Sequence, residues 1–240
     1  MMLPLENIQL EHILFLDIET VPVEESYDAL DAELQVLFEA KTSYQRKEEI
    51  SVEDFYERAG IWAEFGKIVC ISVGYFHFKH GVRQFRTTSF WGEEKELLVK
   101  FSELVNQHFS RPFNILCGHN AKEFDFPYIA RRMLINGVKI PIKLNLFGKK
   151  PWEVPHLDTM ELWKFGDFKH YTSLQLLTKI LGISSPKDDI SGSEVAEVYY
   201  KEKNIDKIIT YCEKDVLAVA QVLLRFRRED LLESNEILSV

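Results

Sequence analysis

Residues 13–21 read ILFLDIETV. The apolar run Ile13–Leu16 is too short for a helix of its own and has the character of a buried strand. Two acids follow at once, Asp17 and Glu19. Strand side chains alternate, so both point to the same side of the sheet. Buried charge is costly when nothing offsets it. Two neighbouring carboxylates also raise each other's pKa unless a cation lies between them. A hard cation such as Mg²⁺, which takes carboxylate and phosphate oxygens, resolves the conflict. The pair is therefore half of a site whose other ligands come from elsewhere in the chain. On its own it also reads as a turn-forming acid pair in solvent.

The rest of the chain supplies a frame for such a strand. GKIVCISVGYF, residues 66–76, is rich in β-formers, and GVRQFRTTSF after it is a natural hairpin partner. EEKELLVKFSELVNQHF is an amphipathic helix led by acids. FNILC is another short strand, FPYIARRML opens a helix with Pro127 in its first turn, and VPHLDTM is a further short strand. TSLQLLTKILGI is a helix capped by Thr or Ser and ended by Gly182. IDKIITYCEKDVLAVAQVLLRF carries the longest helical pattern. Strands come first and helices dominate later, which predicts an α/β sandwich around a mixed sheet. Leu30, Leu34, Leu37 and Phe38 recur at helix spacing among acids, so residues 22–62 are expected to be an acidic helical insertion after the first strand. The tail at 229–240 is expected to be surface helix or frayed.

The length of 240 residues, 46% of them hydrophobic, suits one globular domain over 1–240. Cys70, Cys117 and Cys212 are scattered in apolar contexts, which argues against a disulfide framework and against a zinc site. A reducing, cytoplasmic setting follows. There is no signal-peptide pattern and no membrane-length apolar run. The net charge of −9 argues superficially against nucleic acid. Its distribution does not, because residues 22–58 alone hold a net −7 whereas residues 131–150 hold six bases and no acid. By charge alone each segment is equally a solvated face.

Two further acidic motifs stand out. In GHNAKEFDFPY, Asp125 precedes the Pro127 helix, where it serves either as a helix cap or as a ligand brought towards Asp17 and Glu19. In YCEKD, Tyr211 and Asp215 share one helix face with apolar Ile208 and Val219. Taken as an ordered set, D-x-E, N-x-x-x-F-D and Y-x-x-x-D in strand, helix-start and helix contexts resemble the DEDD superfamily of 3′–5′ exonucleases, in the subgroup with tyrosine in its third motif. Together with EFGKIVCISVG and HLDTMELW, the chain is most similar to stand-alone bacterial proteins related to the family-B DNA polymerase exonuclease domain. The resemblance runs over residues 13–227.

It implies an RNase H-like fold and a metal-dependent exonuclease acting on the 3′ end of single-stranded DNA. Asp17, Glu19, Asp125 and Asp215 would hold two Mg²⁺ or Mn²⁺ ions, and Tyr211 would orient the attacking water. Thr20 and Val21 are candidates to touch the terminal nucleotide, and Asn120 and Phe124 to line the groove, with core packing as the competing role for Phe124. Lys139, Lys143, Lys149 and Lys150 are candidates to follow strand phosphates. Asp158 is either a supporting residue behind the ligands or a helix cap, and His119 and His170 are structural. Three alternatives remain open at this point. They are an RNase D-like exoribonuclease, a non-catalytic nucleic-acid-binding module, and an unrelated metal-dependent hydrolase of small phosphoesters.

Overall fold

The computed structural model describes residues 5–46, 50–167, 171–184 and 190–240, so His170 lies outside the described residues. The first strand, β1 (Ile13–Pro22), is the run of four apolar residues extended through both acids. It is followed by a 3-10 turn at Tyr27–Ala29, α1 (Ala32–Thr42), α2 (Val52–Tyr56) and a second 3-10 turn at Ala59–Ile61. They gather around fully buried Phe38 in a small core of their own with Leu30, Phe55 and Tyr56. The expected acidic helical insertion over 22–62 therefore holds two α-helices among its described residues. Leu37 is left 51% exposed, because Phe38 rather than Leu37 faces that core.

The hairpin β2 (Gly66–Lys79) and β3 (Val82–Trp91) is antiparallel and in continuous register from Cys70↔Trp91 to Lys79↔Val82. Next come α3 (Glu94–His108), β4 (Ile115–Gly118), α4 (Asp125–Ile135), the two-residue strand β5 (Leu157–Asp158) and α5 (Thr159–Lys164). α6 (Leu174–Ile180) is capped by Ser173. The chain continues through α7 (Val195–Glu197), which runs into a π-helical turn, to α8 (Ile205–Phe226). The last strand, β6 (Ile237–Ser239), pairs parallel with β3. The tail is thus not a frayed helix. The Arg83 guanidinium fixes it by donating to Glu236 and to the carbonyls of Asp230 and Leu231.

The sheet order is β5-β4-β1-β2-β3-β6, a mixed six-stranded sheet with β1 at its centre. β1 runs antiparallel to β2 and parallel to β4. Leu14, Leu16 and Ile18 face α3 and α4 on one side, in a core with Leu97, Phe101 and Ile129. Phe15 faces α8 on the other, with Phe76, Phe85, Val216 and Val219. α8 approaches the sheet closely because β2 carries Gly74. A methyl there would lie 2.4 Å from Phe85 and 2.8 Å from Val216. A buried ion pair ties α3 to α4. Arg132 donates to both Glu94 oxygens and to the Ala63 carbonyl, and Glu94 also accepts the Ile68 N–H. Among the described residues, no helix is long and apolar enough to cross a membrane.

Candidate active site

Alternation along β1 puts Asp17 and Glu19 on the α8 face, continuing the side set by Phe15. β4 ends at Gly118, after the Phe15↔Cys117 pairing, so the β1 edge beyond Phe15 has no strand beside it. The turn after β4 folds back over that edge. Gly118 permits this, since a Cβ there would meet Ala121 at 2.4 Å and the Leu16 carbonyl at 3.2 Å. Asn120 takes a left-handed conformation (φ 61°), and its carbonyl accepts the N–H groups of Glu123 and Phe124.

This turn delivers Asp125 to the acid pair. The helix cap is Phe124, and Asp125 is the first residue of α4, so capping does not consume its carboxylate. The Ile18 N–H, between the two acids of β1, donates to it. Asp158 has a different task. Its carboxylate accepts the N–H groups of Asn120, Lys122, Met160 and Glu161, capping α5 and clamping the turn that leads to Asp125. Tyr211 and Asp215 arrive from α8, whose Ile208, Cys212, Val216 and Val219 are fully buried.

These groups act on one another electrostatically. Burial pushes the Asp17 carboxyl well above its usual range, and Asp125, Glu19 and Asp215 add to the rise. Glu19 is raised by burial and then by Asp215. Asp125 is pushed up to about 7, mainly by burial, with Asp158 and Asp215 contributing. The Cys212 thiol, which donates to Asp17, favours its ionised form. Tyr211 is driven upward by burial and by the charges of Asp215, Glu19 and Asp17, and it shares a hydrogen bond with Asp215. Its hydroxyl therefore stays protonated at any working pH. Acids from β1, α4 and α8 thus share one low-dielectric spot, a donor set of hard oxygens suited to divalent metal.

Other expected contacts fall differently. Val21 is fully buried, closed over by Ile190, Val195 and Val198, and presents nothing to a ligand. A bulge between Glu19 and Thr20 shifts the register, and Thr20 instead bonds the Tyr128 hydroxyl. Phe124 packs on the core and against Tyr128, with ring centroids 5.2 Å apart. The Asn120 Oδ1 is buried without a hydrogen-bond partner among the described residues. His119 is held by Thr159 and the Thr172 carbonyl. Lys139, Lys149 and Lys150 are exposed. Lys143 is not available to phosphate, because its ammonium donates to the Arg111 and Asn114 carbonyls at 2.6 Å each. A cleft of about 940 Å³ runs along α4 from Asp158 past Arg131 and Lys149 to Phe147 and Trp152. A smaller one of about 230 Å³ opens beside Tyr211, lined by Lys207, Thr210 and Lys214.

Sequence reasoning missed Cys212. Its Sγ lies 3.4 Å from Asp17 Oδ2, whereas the cysteine spacing argued against a zinc site. The available signal was its position directly after Tyr211 in the third motif.

Residues 61–236 match the family described as "Predicted 3'-5' exonuclease related to the exonuclease domain of PolB". The chain belongs to this family. It is accordingly a member of a group of nucleic-acid hydrolases, and the mixed sheet flanked by helices is the fold expected of it. The solved family B DNA polymerase of the hyperthermophilic archaeon Pyrobaculum calidifontis is similar in fold, with a TM-score of 0.51 at 17% identity. That match covers 89% of this chain and 24% of the polymerase, so the chain spans about a quarter of that protein. The family match begins after β1, the strand that carries Asp17 and Glu19.

Proposed function

We propose that the chain is a metal-dependent 3′–5′ exonuclease that removes mononucleotides from the 3′ end of single-stranded DNA, with residues 1–240 acting as one exonuclease domain. The observation that carries this reading is the convergence of Asp17, Glu19, Asp125 and Asp215, in which the charges of the other three acids raise the Asp17 pKa. Such a set is unfavourable when ionised and empty, and it becomes favourable around divalent cations.

In this reading Asp17, Glu19 and Asp215 would hold one Mg²⁺ or Mn²⁺, and Asp17 and Asp125 would hold a second. When bound, such a pair supplies a nucleophilic water and stabilises the departing 3′ oxygen. The remaining work falls to the protein. The protonated Tyr211 hydroxyl, beside Asp215, positions the attacking water for in-line displacement; it is not a base. Asp158 and the left-handed Asn120 hold Asp125 in place through the turn. Exposed Arg131, Lys139, Lys149 and Lys150 supply charge for the strand's phosphates, and Trp152 offers a ring 75% exposed for base stacking.

The test is digestion of matched DNA and RNA oligomers, labelled at either end, with Mg²⁺ and with EDTA. The reading expects Mg²⁺-dependent release of 3′-terminal nucleotides, faster from DNA. A preference for RNA would move the protein to the ribonuclease alternative. Absence of metal-dependent release would leave the binding module or the hydrolase of small phosphoesters.

A further inference from the structure

Cys212 is fully buried, as cysteines commonly are, but its thiol faces a carboxylate. Its Sγ lies 3.4 Å from both the backbone oxygen and Oδ2 of Asp17. Ligand atoms of Asp17, Glu19 and Cys212 all lie within 4.8 Å of one another. Mg²⁺ has no use for sulfur. Zn²⁺ and Cd²⁺ do, because a thiolate is among their preferred ligands. With Zn–S of about 2.3 Å and Zn–O of about 2.1 Å, a tetrahedral site has an S···O edge of roughly 3.6 Å. The observed 3.4 Å separation matches that edge without movement of the backbone.

We propose that Cys212 makes the acid cluster selective between metals. Together with Asp17 and Glu19 it forms a subsite for a soft divalent cation, Zn²⁺ or Cd²⁺, whose occupancy excludes the Mg²⁺ pair because Asp17 is common to both. On binding, the thiol proton passes to solvent and a metal–sulfur bond forms, with no redox change. The inference rests on reading the acids as the catalytic metal site, but its spectroscopic test does not depend on nuclease activity. Cys70 is also fully buried, lies opposite Glu19 in the sheet and shares a hydrogen bond with Cys212, its thiol standing 3.6 Å from the Ser72 hydroxyl, so the fully buried Cys117 serves as the internal control.

The experiment titrates Cd²⁺ into the metal-free full chain and follows the ultraviolet thiolate-to-cadmium charge-transfer band. The expected result is a band from one thiolate, retained in Cys70→Ser and Cys117→Ser and lost in Cys212→Ser. Asp17→Asn, which keeps the thiol, should weaken Cd²⁺ binding at least about tenfold. Cd²⁺ should also inhibit Mg²⁺-dependent nucleotide release, with competition by excess Mg²⁺. No band in the wild-type chain, or an unchanged band in Cys212→Ser, overturns the proposal. A Cys212-dependent band in a chain that releases no nucleotides with Mg²⁺ upholds the soft-metal subsite and removes the exonuclease reading. Nucleotide release without the band does the reverse.

Discussion

Replacing Tyr211 with Phe isolates a single hydroxyl. The ring packs at the edge of the apolar cluster of Ile208 and Cys212, and that packing survives the change. The hydroxyl lies among Asp215, Glu19 and Asp17, which hold it protonated. For folding, the loss is one hydrogen bond of roughly 0.5–1.5 kcal/mol. For catalysis, loss of a donor aimed at the reacting water costs about 2–4 kcal/mol, or roughly 30- to 1,000-fold in rate. Single-turnover digestion of a 3′-labelled strand, beside Mg²⁺ titration and strand-binding measurements, separates these effects. The rate should fall by that factor while metal affinity, strand binding and the form of the pH–rate profile stay near wild type. Asp215→Ala should cut the rate further and weaken metal binding. Full activity in Tyr211→Phe alongside an inactive Asp215→Ala would make the tyrosine a packing residue. Loss of a basic limb from the pH profile would make it a titrating base. Either result refutes its role as a positioning donor.

Other outcomes follow from the same geometry. Asp125 is raised to about 7 against about 3.9 in an unfolded chain, so the folded state binds more protons between those values. The metal-free protein should therefore lose stability as pH rises from about 4 through 7, by up to about 1.4 kcal/mol per pH unit for each proton. Asp125→Asn should flatten that slope, and Mg²⁺ should raise Tm more at pH 8 than at pH 6; identical pH slopes in urea melts of the two proteins would count against it. Neutralising Lys139, Lys149 and Lys150 together should reduce the log–log salt slope of single-strand binding by about 0.7 per lost phosphate contact. Lys143→Gln should leave the slope alone and lower stability instead, because its ammonium holds two carbonyls. Arg132→Ala strands buried Glu94 and should cost roughly 3–5 kcal/mol in urea unfolding, whereas a cost under about 1 kcal/mol would show that water reaches the pair.

Periodicity made much of this fold legible. The apolar run Ile13–Leu16, the β-rich hairpin and the long stripe of α8 each follow a regular pattern, and each is where that pattern puts it. The fold also draws Asp17, Glu19, Asp125, Tyr211 and Asp215 together, because strand alternation and helix spacing fix the direction of a side chain once the element is known. What stayed hidden depends on long-range contact. β6 is three residues long and owes its pairing to Arg83 and β3, about 150 positions earlier in the chain. Val21 has the alternation of a site residue and is buried because Ile190, Val195 and Val198 close over it. Lys143 looks like a free cation until the carbonyls of Arg111 and Asn114 come to it. Cys212 reads as one apolar residue among many; its place directly after Tyr211 puts it in the third motif, but does not show that its sulfur points at Asp17.

The central claim, that these converging carboxylates drive hydrolysis from the 3′ end, is tested most directly on a 5′-labelled single-stranded DNA oligomer with Mg²⁺. The account predicts a ladder that shortens one nucleotide at a time from the 3′ hydroxyl, with nucleoside monophosphates present from the first time points. EDTA, a 3′-terminal block and Asp17→Ala should each abolish it. Equal digestion of a 3′-blocked strand or a closed circle, or an undiminished ladder from Asp17→Ala, would contradict it.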